Sequence, residues 1–162
     1  MSNVIMMCGV CGSGKTTYAK EKEKEGYVRL SIDEEMWKTY GRKGVDYPDD
    51  QYEELSKKAE LSLREKLICL IKEGKNVVID FSFWNKENRN FYRQLIENAG
   101  GTVELVYMKA CLETLRKRLA KRNLQLNANS PFIITDEILE HHYYGFQEPC
   151  DEGETIILQN NK

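Results

Sequence analysis

The chain has 162 residues, 41% of them hydrophobic and 31% charged, which suits one domain built on a single core. A formal net charge of −2 excludes a general electrostatic pull toward nucleic acid or an anionic membrane. No apolar run approaches the length of a membrane span, and the first, residues 4–10, lacks the basic flank and long core of a secretory signal.

The chain opens on Val4-Ile5-Met6-Met7, an apolar run expected to form a buried strand. Gly9-Val10-Cys11-Gly12-Ser13-Gly14-Lys15-Thr16 follows, the G-x-x-x-x-G-K-T phosphate loop, and helix formers begin at Thr17. Strand, glycine turn and helix are the context in which this motif binds ATP or GTP. Glycine tolerates φ > 0 and has no side chain to block a ligand. The loop N–H groups can therefore converge on phosphate oxygens at the positive end of the helix. The expected nucleotide contacts are Gly12, Ser13, Gly14, Lys15, Thr16 and Thr17, with Lys15 on the β- and γ-phosphates and the Thr16 hydroxyl on Mg²⁺. Cys8 and Cys11 make a C-x-x-C spacing, but it falls inside this loop and no second ligand pair accompanies it. Cys8 thus reads as a strand end and Cys11 as a variable loop position. The five cysteines are an odd number, and a nucleotide-binding domain without a signal is expected in a reducing cytosol with free thiols.

Residues 17–25 carry mixed charges at helical spacing, a solvated helix face, and Gly26 stops the helix. Tyr27-Val28-Arg29-Leu30 alternates apolar and polar residues as a second strand. It delivers Ser31-Ile32-Asp33 to the sheet edge, where ligands of open α/β sheets sit. Asp33 there suits a base for an acceptor hydroxyl, or a helix cap for which Ser31 competes. Residues 39–47 read as a loop bringing Arg42 and Lys43 near the site. Pro48-Asp49-Asp50 starts the longest helix, with Leu55, Ala59, Leu63, Leu67, Leu70 and Ile71 on one stripe and Gly74 at its end.

Residues 76–80 are the third strand, ending in Asp80 in the manner of a Walker B strand, so Asp80 joins Thr16 as an expected Mg²⁺ ligand or else faces the acceptor. The next residue is Phe81 and not the water-activating Glu of motor-type ATPases, which favours transfer over hydrolysis. Phe81-Ser82-Phe83-Trp84-Asn85 stands where an acceptor pocket would be, although aromatics at such positions are commonly core. Residues 86–99 carry Phe91, Leu95 and Ile96 at helical spacing, and residues 102–108 form the fourth strand. A basic helix over 111–122 puts Arg118 and Arg122 on one face, either a solvated surface or a clamp on nucleotide phosphates. Residues 123–130 read as a mobile lid tip. A helix over 135–146 contains His141 and His142, without a recognisable metal-binding pattern, and residues 155–158 are a short last strand. Strands alternating with helices make the fold α/β with a parallel central sheet.

These residues resemble the small P-loop kinases of the polynucleotide kinase, zeta toxin and chloramphenicol phosphotransferase group, which includes many AAA-type ATP-binding proteins. The likeness rests on Gly12-Ser13-Gly14-Lys15-Thr16-Thr17 followed by a strand ending at Asp33. It extends through residues 77–80, Asn85 with Arg89, the helix from Leu112 to Arg122, and Phe146-Gln147-Glu148-Pro149 with Glu154. The resemblance implies a P-loop three-layer sandwich with a five-stranded parallel sheet, a single domain over 1–162 and a helical lid at roughly 116–134. It implies Asp33 as the general base, with Lys15 and Arg122 as catalytic cations and Arg118 and Arg122 on the nucleotide. Polynucleotide kinases carry an acceptor-gripping arginine three residues after this aspartate, where this chain has Met36.

The expected function is transfer of the ATP γ-phosphate, with Mg²⁺, to a small hydroxyl-bearing acceptor. A 5′-hydroxyl nucleic-acid end is the alternative acceptor, and a nucleotide-dependent switch module is the alternative class.

Overall fold

The computed structural model describes residues 1–127 and 133–159. The first strand, β1 (Asn3–Cys8), is buried from Val4 to Cys8 on both its faces, which is why its sequence does not alternate. Val4, Met6 and Cys8 point to one layer of helices, and Ile5 and Met7 to the other. After β1 come α1 (Lys15–Lys24), β2 (Val28–Leu30), α2 (Ile32–Tyr40), α3 (Tyr52–Lys72), β3 (Val77–Ile79) and α4 (Lys86–Asn98). Then follow β4 (Thr102–Lys109), α5 (Leu112–Arg122), α6 (Asp136–Gly145) and β5 (Thr155–Leu158).

The five strands are all parallel, in the order β2-β3-β1-β4-β5. From β1 the chain builds one side of the sheet, through β2 and β3, and then crosses to add β4 and β5 on the other. The topological switch therefore lies at the carboxyl end of β1, where ligands of such sheets bind. The phosphate loop occupies that point.

Helices cover both faces. Leu63, Leu67 and Ile71 of α3 and Tyr92 and Ile96 of α4 pack on one face, and Ala19 of α1 on the other. Each such aliphatic side chain, fully buried, stabilises the fold by about 1.5–3 kcal/mol. A third cluster of Val10, Leu115, Leu119 and Leu139 binds α5 and α6 to the phosphate loop. Among the described residues no helix is long and apolar enough to cross a membrane.

Some local expectations are corrected. Asp49–Gln51 is a separate 3₁₀ turn, and the long helix starts after it at Tyr52. On α4 the inward face is Arg89, Tyr92 and Ile96, whereas Phe91 is 46% exposed. Tyr92 wins because its ring packs edge-on against both Phe81 and Phe83 while its hydroxyl reaches Glu60 at 2.7 Å.

Candidate nucleotide and acceptor site

Gly14 ends the phosphate loop in the left-handed region, at φ 98°, and α1 begins at the next residue with its first N–H groups open to the loop. The Lys15 ammonium folds back over the loop and donates to the carbonyls of Gly9 at 3.0 Å and Val10 at 3.1 Å. Burial pushes its pKa down, while Asp80 pulls it back up. One turn into the helix, the Thr16 hydroxyl donates to Asp80 Oδ2 at 2.9 Å. The strands thus bring the two expected metal ligands together from positions 64 residues apart. Two hard oxygen donors in contact fit a Mg²⁺ ion.

The same Asp80 oxygen accepts from Arg29 Nη1 at 3.0 Å, and both side chains are only 4% exposed. Arg29 also holds Glu23 at 3.2 Å and pairs with Glu34. Sequence reasoning noted only the apolar–polar alternation in β2 and gave Arg29 no role. In a sheet covered on both sides a charged strand residue has to be paired inside, and that was the available signal.

Ser31 is the cap of α2, accepting from the Glu34 N–H at 3.2 Å, which leaves Asp33 free of that job in the helix's first turn. Asp33 faces a cavity of about 460 Å³ that it shares with Lys15, Thr16, Asp80 and Arg122. Burial pushes the Asp33 carboxyl up to about 6; Arg122 opposes the rise, Asp80 adds to it, and Lys15 and Arg29 pull it back. A second cavity, of about 830 Å³, runs along the other side of the loop past Gly12, Gly14, Lys15, Thr16, Thr17, Arg118 and Arg122. Lys15, Thr16 and Arg122 line both cavities.

A nucleotide-sized space and a smaller space thus meet at a lysine, a hydroxyl and an arginine. The model of the family described as "AAA domain" matches residues 4–149 of this chain. The chain belongs to the AAA domain family. A probable adenylyl-sulfate kinase of Aeropyrum pernix is 29% identical over 119 residues, covering 71% of this chain and 63% of that protein. A gluconokinase structure from Sinorhizobium meliloti is similar with a TM-score of 0.65 at 15% identity, over 96% of this chain and 82% of that one. A chain of the Pnkp1/Rnl/Hen1 RNA repair complex is similar with a TM-score of 0.72 at 23% identity, over 89% of this chain and 43% of that one. The fold of this AAA domain is that of the P-loop kinases.

The remaining site residues of this AAA domain are placed less uniformly. Arg118 reaches the Gly12 carbonyl at 3.4 Å and Gln159 at 3.1 Å, at the wall of the larger cavity. Arg116, on the opposite side of α5, pairs with Glu140 and with Asp136 at 3.6 Å. The Ser13 side chain is buried at the rear of the loop, lining a small space of about 190 Å³ beside Tyr107 and Glu148, and its N–H donates to the Val10 carbonyl at 3.1 Å. Phe83, expected near an acceptor, is core at 1% exposed and φ 47°, whereas Phe81 and Trp84 line the smaller cavity. Neither Arg42 nor Lys43 lines it; the Lys43 ammonium sits 4.8 Å from the ring centre of Tyr52.

His141 and His142, adjacent on α6, both line the smaller cavity. His142 Nδ1 accepts from the Cys11 N–H at 3.5 Å, and its ring stands edge-on to Trp84. Burial lowers its pKa to about 4, with Lys15 and then His141 adding to the shift, so the ring is neutral at pH 7. Of the C-x-x-C pair, Cys8 is buried in β1 with burial pushing its thiol up to about 12, and Cys11 lines the cavity.

Proposed function

We propose that this AAA domain transfers the γ-phosphate of ATP to a hydroxyl of a small molecule. The observation that carries the reading is the meeting of two cavities at Lys15, Thr16 and Arg122, with Asp33 on the acceptor side only. ATP would lie in the larger space with its phosphates on the loop N–H groups and the Lys15 ammonium. Thr16 and Asp80 would hold Mg²⁺, which supplies charge neutralisation at the β- and γ-phosphates. The acceptor hydroxyl gives its proton to the Asp33 carboxylate as its oxygen bonds to the γ-phosphorus. The bond to the bridging oxygen then breaks with its electron pair on ADP. Arg122, reaching both spaces, stabilises charge on the transferring group. The kinase names among the relatives support phosphotransfer, and the free cysteines suit a reducing cytosol. We assign residues 1–162 to one domain and 116–134 to the lid, of which 128–132 lie outside the described residues.

The test is transfer from labelled ATP to a panel of metabolites, nucleosides and 5′-hydroxyl oligonucleotides. Lys15→Ala should remove most Mg·ATP binding in isothermal titration. Asp33→Asn should keep that binding and lose about 10²–10⁴-fold in transfer. Unchanged affinity in Lys15→Ala would defeat the nucleotide assignment. Efficient labelling of oligonucleotide ends would move the acceptor to nucleic acid. ATP binding with no transfer to any acceptor would leave a switch module.

A further inference from the structure

The acceptor-side cavity carries a specific balance of charge. Its carboxylates are Asp33 and Asp80. Among the described residues that line it, the only Lys or Arg side chains are Lys15 and Arg122, and both also line the nucleotide cavity. Arg29, the next cation, is committed to Asp80, Glu23 and Glu34. Asp80 is compensated by Arg29 and would be further compensated by Mg²⁺, and bound ATP would engage Lys15 and Arg122, so an acceptor meets the Asp33 carboxylate and a phosphate chain with no lysine or arginine in reserve. Like charges held close in a partly dehydrated site repel far more strongly than in bulk water. An anionic acceptor is therefore disfavoured on entry.

The rest of the wall pairs a polar side, with Tyr52, Ser56 and Ser82, with an apolar one. Ile32, Phe81, Trp84, Ile134 and Ile138 line it, with the His142 ring edge-on to Trp84 at 5.9 Å between centroids. Trp84 is 39% exposed, so an indole face stands at the cavity without being consumed by the core. The volume of about 460 Å³ falls in the range of small-molecule sites. Burial keeps the His142 ring itself neutral, so it adds no charge to the wall beside Trp84.

We propose that the acceptor is a compact alcohol bearing an apolar ring face and no negative charge, seated between the Trp84 indole and the Asp33 carboxylate. This rests on the phosphotransfer reading above. It sets this chain apart from kinases whose acceptors are sugar acids or phosphorylated molecules, because those require cations that this cavity does not spare.

The test is binding by saturation-transfer NMR to protein loaded with Mg²⁺ and a non-hydrolysable ATP analogue. The probes are 4-acetamidobenzyl alcohol, which is neutral, and 4-(hydroxymethyl)benzoate, its anionic counterpart. The neutral alcohol should bind at least tenfold tighter than the benzoate. Asp33→Asn should narrow that gap several-fold by removing one repelling carboxylate. Trp84→Ala should weaken the neutral alcohol about tenfold and leave the analogue's affinity, measured by titration, unchanged. Equal or tighter binding of the benzoate overturns the proposal, as does failure of the neutral alcohol to bind loaded protein, and both leave the phosphotransfer reading standing. Failure of the ATP analogue itself to bind defeats that reading and this inference with it.

Discussion

Asp33, the proposed base, is held at some cost to the fold. Its pKa is raised to about 6 by burial, against an ordinary carboxyl value of 3.8. Below pH 3.8 the group is neutral in folded and unfolded chains alike. Between 3.8 and 6 the unfolded chain releases the proton and the folded one keeps it, so folding weakens as pH rises through that window. His142 acts in the opposite sense. Its pKa falls from 6.5 to about 4, so the stability that its neutral form provides is present above 6.5 and lost as pH falls toward 4. The two windows overlap between about 4 and 6, where their slopes offset each other. Asp33→Asn removes only the first, so its unfolding midpoint should exceed the parent's by a few degrees at pH 7.5 and match it at pH 3.5. Thermal melts at the two values check this; an unchanged midpoint at pH 7.5 would mean that the carboxylate is not strained by its site. Under the proposed transfer, kcat/KM of the parent should rise with pH through about 6, as the Asp33 carboxyl ionises.

At the scale of elements, the phosphate loop is set by what packs behind it. Gly12 has φ 83°, and a Cβ there would stand 3.1 Å from Cγ and 3.3 Å from Cδ2 of Leu119 on α5. Glycine is thus needed at this position both for its backbone angle and for the approach of the helix that carries Arg118 and Arg122. Gly12→Ala should cost about 1–2 kcal/mol in left-handed strain alone and push α5 outward. Thermal denaturation should show the loss, and titration a weaker Mg·ATP affinity. Adding Leu119→Ala should recover affinity by making room, but not stability, because the backbone angle remains and a core side chain is gone. Recovery of neither would place the defect wholly in the loop. The motif and its strand–helix context were legible in the sequence because they are local: spacing, glycine and period suffice. The charge network was not. Arg29 meets Asp80 across 51 residues, and nothing in either segment encodes the pairing except the coarse rule that a covered sheet has no solvent face. The α4 face was misread for a similar reason, since Phe91 and Tyr92 differ by one position and the distant partners Phe81, Phe83 and Glu60 decide which turns inward.

Across the whole molecule, the α/β class followed from the alternation of elements, but the strand order β2-β3-β1-β4-β5 is a long-range result that no local pattern states. The same holds for the last part of the chain. After α6, Gln147 donates its N–H to the Trp84 carbonyl at 2.7 Å and accepts from the Lys86 N–H at 3.0 Å. Glu152 then grips Arg89 at 2.9 and 3.1 Å, and β5 adds to the sheet edge beside β4. Gln159 finally meets Arg118 beside the nucleotide cavity. This segment fastens the loop of residues 81–85, α4 and α5 to one another, and its central tie is the Arg89–Glu152 pair, at 2% and 6% side-chain exposure. Arg89 also donates to the Phe83 carbonyl at 2.7 Å, directly beside Trp84. Removing one member of such a pair leaves the other buried and uncompensated. Glu152→Ala should therefore cost about 3–5 kcal/mol in urea unfolding. Glu152→Gln, which keeps the shape and one acceptor oxygen, should cost less. Hydrogen exchange should quicken first at residues 81–85, because the freed guanidinium no longer anchors that loop, while the phosphate loop amides keep their protection. A loss under 1 kcal/mol for Glu152→Ala would show that the strap holds through its backbone contacts and β5 alone.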